Sequence, residues 1–104
     1  MAIENWVTDE DTSFEAGDSP KVITVYSSTM HPYPVSEGYI VCDGTGNIEV
    51  AISQDGTNYG GTFTMKAGEV VTLGGSRVAL IKITHTGTDS AYRVLVVPTR
   101  YHDY

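Results

Sequence analysis

An all-β antiparallel sandwich is the fold class that this 104-residue sequence predicts, and three observations predict it. From Lys21 onward apolar side chains recur with a period of two, the spacing that sends alternate residues to opposite faces of a strand. Gly, Pro, Asn or Asp breaks that pattern about every 8–12 residues, as turns do between short strands. No segment keeps a helical period. About seven strands are expected, with jelly-roll and Ig-like topologies both open. The expected layout is an extended acidic N-terminal arm over residues 1–20, the β-sandwich over 21–98 and a short C-terminal tail over 99–104.

Taken in order, the arm comes first. Residues 1–20 carry Glu4, Asp9, Glu10, Asp11, Glu15 and Asp18 with neither Lys nor Arg, whereas the whole chain has a formal charge of −7. The body is therefore close to neutral and the acidity sits at one end. A solvated tail and an arm docked on a basic partner surface both fit that charge. Trp6, Val7 and Phe14 add apolar anchors for which a purely solvated tail has little use. Deleting the arm is expected to leave the sandwich folded.

The body then reads strand by strand. "VITVYSS" (22–28) is the first strand. "HPYPVSEG" (31–38) is a loop or an edge, since its two prolines donate nothing to a ladder. "YIVCDG" and "NIEVAIS" meet at "DGTG" (43–46), "TFTMK" and "EVVTL" meet at "KAGE" (66–69), and both junctions predict hairpins. "RVALIKITH" (77–85) and "AYRVLVVP" (91–98) are the longest β-branched runs, and "TGTDS" (86–90) is expected to reverse one onto the other. Strands joined by tight turns must pair antiparallel, and two half-apolar sheets bury their faces against each other.

Alternation assigns faces. Ile48, Val50 and Ile52 share one face of their strand; Ala79, Ile81 and Ile83 share one face of theirs. In the last strand Tyr92, Val94 and Val96 oppose Arg93, Leu95 and Val97, so both faces are largely apolar. That composition predicts a central strand covered on its second side by the arm or by another subunit. Between Ile48 and Met65, "QDGTNYGG" holds more residues than a two-residue reversal requires. It reads as a turn first and a rim contact of Tyr59 second.

Chemistry is sparse. Cys42 is the only cysteine, which excludes an intramolecular disulfide, and its apolar run predicts a buried structural thiol. His31, His85 and His102 lie in a Pro-flanked loop, at a strand end and near the C-terminus, with no spacing that pairs any of them with a nucleophile. No nucleotide loop, nucleophile elbow or zinc-ligand spacing is present. Asp-Gly and Asn in "DGTGN" and "DGTN" are what reverse turns require, and no EF-hand loop accompanies them. Neither catalytic residues, metal nor cofactor is therefore expected. An acidic chain repels phosphate backbones, which argues against nucleic acid as a partner. No run reaches the roughly 20 apolar residues of a membrane span. The N-terminus has neither the basic start nor the apolar core of a secretory signal, so residence in a cytoplasm is the expectation. The seven tyrosines are scattered; a sugar-stacking platform on Tyr33, Tyr59 and Trp6 is the alternative they offer.

Residues 45–98 contain "IEVAISQDGTNYGG" followed by "FTMKAGEVVTLGGSRVALIKITHTGTDSAYRVLVVP". This stretch resembles the small β-sandwich structural proteins of tailed-bacteriophage virions, in which a strand ending in a DGTN-type turn precedes an AGE hairpin and a long hairpin closes the domain. The resemblance does not extend to the arm or to "PTRYHDY". It implies a capsid decoration (cement) protein: a non-enzymatic homo-oligomer, commonly a trimer, made in the host cytoplasm. Such a protein sits on the outside of the phage head and stabilises contacts between major capsid protein subunits. A head fibre, tail or adaptor protein is the alternative within the virion, and a carbohydrate-binding module the alternative outside it. The candidate partner contacts are Trp6, Val7, Phe14, Tyr59, Tyr92, Val94 and Val96.

Overall fold

The computed structural model describes residues 2–3, 7–14, 16–25, 35–86 and 90–100, and these form the expected antiparallel sandwich. The described strands are β1 (Ala2–Ile3), β2 (Val7–Phe14), β3 (Lys21–Thr24), β4 (Val35–Cys42), β5 (Ile48–Ser53), β6 (Phe63–Met65), β7 (Val70–Ser76), β8 (Leu80–His85) and β9 (Ser90–Arg100). One sheet is ordered β1–β9–β4–β7, with β2 also paired to β9; the other is ordered β3–β8–β5–β6. All pairings are antiparallel.

The core lies where alternation put it. Ile81 and Ile83 of β8, Ile48 and Val50 of β5, and Tyr92, Val94 and Val96 of β9 are all buried. Each large aliphatic side chain so removed from water contributes about 1.5–3 kcal/mol. As the two-sided apolar run predicted, β9 is central, with β4 on one side and β1 and β2 on the other.

Three expected hairpins are corners instead. β4 and β5, β6 and β7, and β8 and β9 each lie in opposite sheets, and of the expected sequence neighbours only β5 and β6 pair. A short Gly-rich connection can reverse a chain within one sheet or carry it across the roughly 10 Å between two layers. Turn composition does not separate the two. Here the corners are tied to one another: Cys42 N–H donates to the Glu69 carbonyl (2.9 Å), Gly68 N–H to the Cys42 carbonyl (2.8 Å) and Asp43 N–H to the Ala91 carbonyl (2.9 Å).

The boundaries also shift. Residues 7–14, expected in an extended arm, are a strand of the larger sheet, in register with β9 from Val7↔Val96 to Asp11↔Tyr92 and, past a register shift, paired again at Phe14↔Ser90. Val35–Gly38, expected as loop or edge, begin β4, between β9 and β7. Thr99 and Arg100, expected in the tail, still belong to β9 and face β1. Between β2 and β3 the chain changes sheets through a single 3-10 turn (Ala16–Asp18) and a cis Ser19–Pro20 bond.

Candidate functional site

Register fixes what the larger sheet presents outward. The pairs Tyr39↔Leu95, Val41↔Arg93 and Glu37↔Val97 join β4 to β9, Tyr39↔Thr72 and Val41↔Val70 join β4 to β7, and Thr8↔Leu95 and Glu10↔Arg93 join β2 to β9. Residues directly opposite share a face. Tyr39, Val41 and Leu95 are half-buried there, and Val70, at 57% exposure, is the more open of the two exposed large apolar side chains among the described residues.

A charged rim borders this apolar strip. Arg93 Nε donates to Glu10 Oε2 at 2.8 Å, and Arg93 Nη2 lies 3.5 Å from Asp43 Oδ2. The hydrogen bond and charge of Glu10 raise the Arg93 guanidinium further above its ordinary range. Exposed pairs of this kind add little stability; their effect is to fix Arg93 over the sheet. Thr8, Glu10, Tyr39, Arg93 and Leu95 line a shallow groove of about 360 Å³. The face is thus an apolar strip with fixed charges at its border.

Against this face the expected contacts separate into three groups. Tyr92, Val94, Val96 and Phe14 point the other way and are core residues, each at most 1% exposed, so none can meet a partner in the folded domain. Alternation divides the strand as expected, but the partner contacts expected at Tyr92, Val94 and Val96 lie on its inward set, not on the set of Arg93, Leu95 and Val97. Its charged member, Arg93, marks the second set as the outward one. Val7 is half-buried and packs against the core. Trp6 lies outside the described residues, as do Tyr33, His31 and His102.

The acids of β2 find partners within the chain. Asp9 Oδ2 accepts the Tyr92 hydroxyl at 3.3 Å and lies 3.9 Å from Lys21 Nζ. Burial, and then the Asp9 charge, push the Tyr92 phenol far above its ordinary range. Phe14 meets Tyr92 edge to face at 5.1 Å and His85 at 5.8 Å. The expected solvated or partner-docked character of residues 7–14 gives way to internal pairing.

Tyr59 belongs to a different surface. It bridges to Ser53 across the β5–β6 hairpin, and Lys82 Nζ stands 4.4 Å from the centre of its ring. Ala51, Ser53 and Lys82 are on the outer face of the smaller sheet by register, so Tyr59 lies over that face rather than at a free tip. Asp55 organises the loop between. Its Oδ1 accepts from Asn58 N (2.7 Å), Thr57 N (2.8 Å) and Ser53 Oγ (3.2 Å), and its Oδ2 accepts from Asn58 Nδ2 (3.1 Å). Gly56 supplies the positive φ of 84° that the reversal needs.

Those donors, the Asn58 and Thr57 amides first, hold the Asp55 carboxyl well below its ordinary 3.8. Because the folded value is depressed, the ionised carboxylate stabilises the loop above that ordinary value, and the stabilisation fades as pH falls below it. In a carboxyl-carbon NMR titration, Asp55 is expected to have a midpoint well under 3.8, with the Thr57 and Asn58 amide shifts changing in step. A midpoint at the ordinary value would contradict this geometry.

Cys42 is buried, as expected, and its Sγ–H donates to the Gly46 carbonyl at 3.2 Å. Desolvation raises its pKa, which keeps the thiol protonated. Among the described residues no three His, Cys, Asp or Glu side chains gather where a metal ion could be held, and no helix is long and apolar enough to cross a membrane.

The class that the fold defines is an antiparallel β-sandwich whose larger sheet has an apolar strip bordered by charges on its outer face. Comparison with protein-family models, with curated proteins and with solved structures gives no match for this chain.

Proposed function

We propose that this chain is a non-enzymatic structural protein of a tailed-phage virion, a decoration (cement) protein that attaches to the outside of the head and stabilises contacts between major capsid protein subunits. The observation that supports this reading is the outer face of the larger sheet. Tyr39, Val41, Leu95 and Val70 form an apolar centre, and Glu10, Arg93 and Asp43 form a charged border. Protein–protein interfaces have the same division into apolar core and polar rim. A sheet face does this work without moving parts, because its side chains are already ordered by the ladder behind them and little entropy is lost on contact.

The protein binds as a homo-oligomer, with a trimer favoured, and part of the face serves sister subunits while the rest meets the capsid. Mass spectrometry of purified virions from the encoding phage is expected to find the chain at copy numbers comparable to the major capsid protein. Its absence from the particle would overturn the proposal, and recovery with isolated tails would move it to another virion position.

A further inference from the structure

Beside the Tyr59 loop the surface sinks into a groove of about 500 Å³ lined by Ile52, Gln54, Asp55, Asn58, Tyr59 and Arg77. That volume falls within the range of small-molecule sites, which are usually apolar; this one sets the polar groups of Gln54, Asp55, Asn58 and Arg77 beside the apolar surface of Ile52 and the Tyr59 ring. We infer that the groove binds a neutral, polyhydroxylated ligand, a saccharide.

Charge selects the class. Among the described residues that line the groove, Asp55 and Arg77 carry formal charges and they are opposite in sign, so the lining favours neither an anion nor a cation over a neutral ligand. Hydrogen-bond capacity fits hydroxyls, each of which donates and accepts. Asp55 Oδ2 accepts one bond, from Asn58, where a carboxylate oxygen can take two. Asn58 Nδ2 uses one of its two hydrogens on that bond, leaving a donor beside the acceptor. Adjacent donor and acceptor groups of this kind suit neighbouring ring hydroxyls.

Tyr59 brings an amphipathic ring to the same groove, and Lys82 fixes its orientation. The loop is ordered by the hydrogen bonds to Asp55 before any ligand arrives, which keeps the entropic cost of binding low. This inference stands apart from the virion proposal and uses the opposite sheet.

The test is an amide-shift titration of the full chain with glucose, galactose, mannose, N-acetylglucosamine, maltose and lactose, with glucuronate and glucosamine as charged counterparts. At least one neutral sugar is expected to shift the amides of residues 52–60 and 77 saturably, with Kd of about 1–10 mM. Asn58→Ala and Tyr59→Ala are each expected to weaken it at least about tenfold, a loss of roughly 1.4 kcal/mol. Two variants are used so that the result survives if Tyr59→Ala disturbs the hairpin. No shift in that segment with any neutral sugar, tighter binding of the charged counterparts, or undiminished binding by both variants would overturn the inference.

Discussion

Replacing Phe14 with alanine is expected to destabilise the domain by about 3–5 kcal/mol, the range for deleting a buried aromatic ring. Folded domains of this kind retain only about 5–15 kcal/mol in total. The ring is 1% exposed and packs edge to face on Tyr92 and against His85, so its removal opens a cavity where β2, β8 and β9 meet. Thermal unfolding by circular dichroism should show Tm lowered by more than about 12 °C. Thr8→Ala, an exposed outward position on the same strand, should change stability by less than about 0.5 kcal/mol. Deleting residues 1–14 goes further: it removes Phe14 and leaves one edge of β9 without its partners, an open edge that invites aggregation. This reverses the expectation that the N-terminal segment is dispensable for folding. A truncated protein that melts like the full chain would contradict the structure.

Gly38→Ala is expected to be at least as damaging. Gly38 sits inside β4 with φ of 147°, and a Cβ there would lie 2.0 Å from the Leu95 carbonyl oxygen and 2.8 Å from Val96 Cα. Both are backbone atoms of β9, so nothing soft can yield; the β4–β9 ladder itself must part. Left-handed strain and the overlap together put the cost at about 3 kcal/mol or more. Gly61→Ala is the matched control, since a Cβ there meets nothing within 4 Å. Similar denaturant midpoints for the two variants would show that β4 does not approach β9 as described.

These two residues also show what could be read from sequence and what could not. Alternation found β5, β8 and β9 because their inward positions are uniformly apolar: Ile48 and Val50, Ile81 and Ile83, Val94 and Val96. In "VTDEDTSF" the inward positions include Asp9 and Asp11, which register places opposite Val94 and Tyr92. Carboxylates are tolerated there because β2 lies at the margin of the sheet, where Asp9 reaches both Lys21 and the Tyr92 hydroxyl. An edge strand with acids on its inner face looks like a tail until its partner is known. Gly38 is a signal in itself, since glycine inside a strand marks a bulge or a close backbone approach, but the prolines just before it favour a loop or an edge.

Pairing was the least legible level. "DGTG", "KAGE" and "TGTDS" suit sheet-crossing corners as well as hairpins, and only the partner strands decide between them. For the contact face, parity supplied the outward set of β9, Arg93, Leu95 and Val97, but the neighbours completing the strip, Tyr39, Val41 and Val70, come from β4 and β7. Their adjacency is a property of strand order. The Tyr59 loop was legible as a reversal from its Asp-Gly and Asn; that it lies over the outer face of the smaller sheet follows from the Ser53↔Tyr59 bridge and Lys82.

The proposed attachment of the larger sheet's outer face to a capsid is best probed by co-sedimenting the purified chain with heads of the proposed phage assembled without it, comparing wild type, Leu95→Glu and Thr24→Glu. Leu95 lies at the centre of the face, and Thr24 is exposed on the outer face of the other sheet. Saturable binding by wild type and Thr24→Glu, with Leu95→Glu folded but weaker by at least about tenfold, is the result expected. Failure of the wild type to sediment with the heads, or equal binding by all three proteins, would contradict the claim.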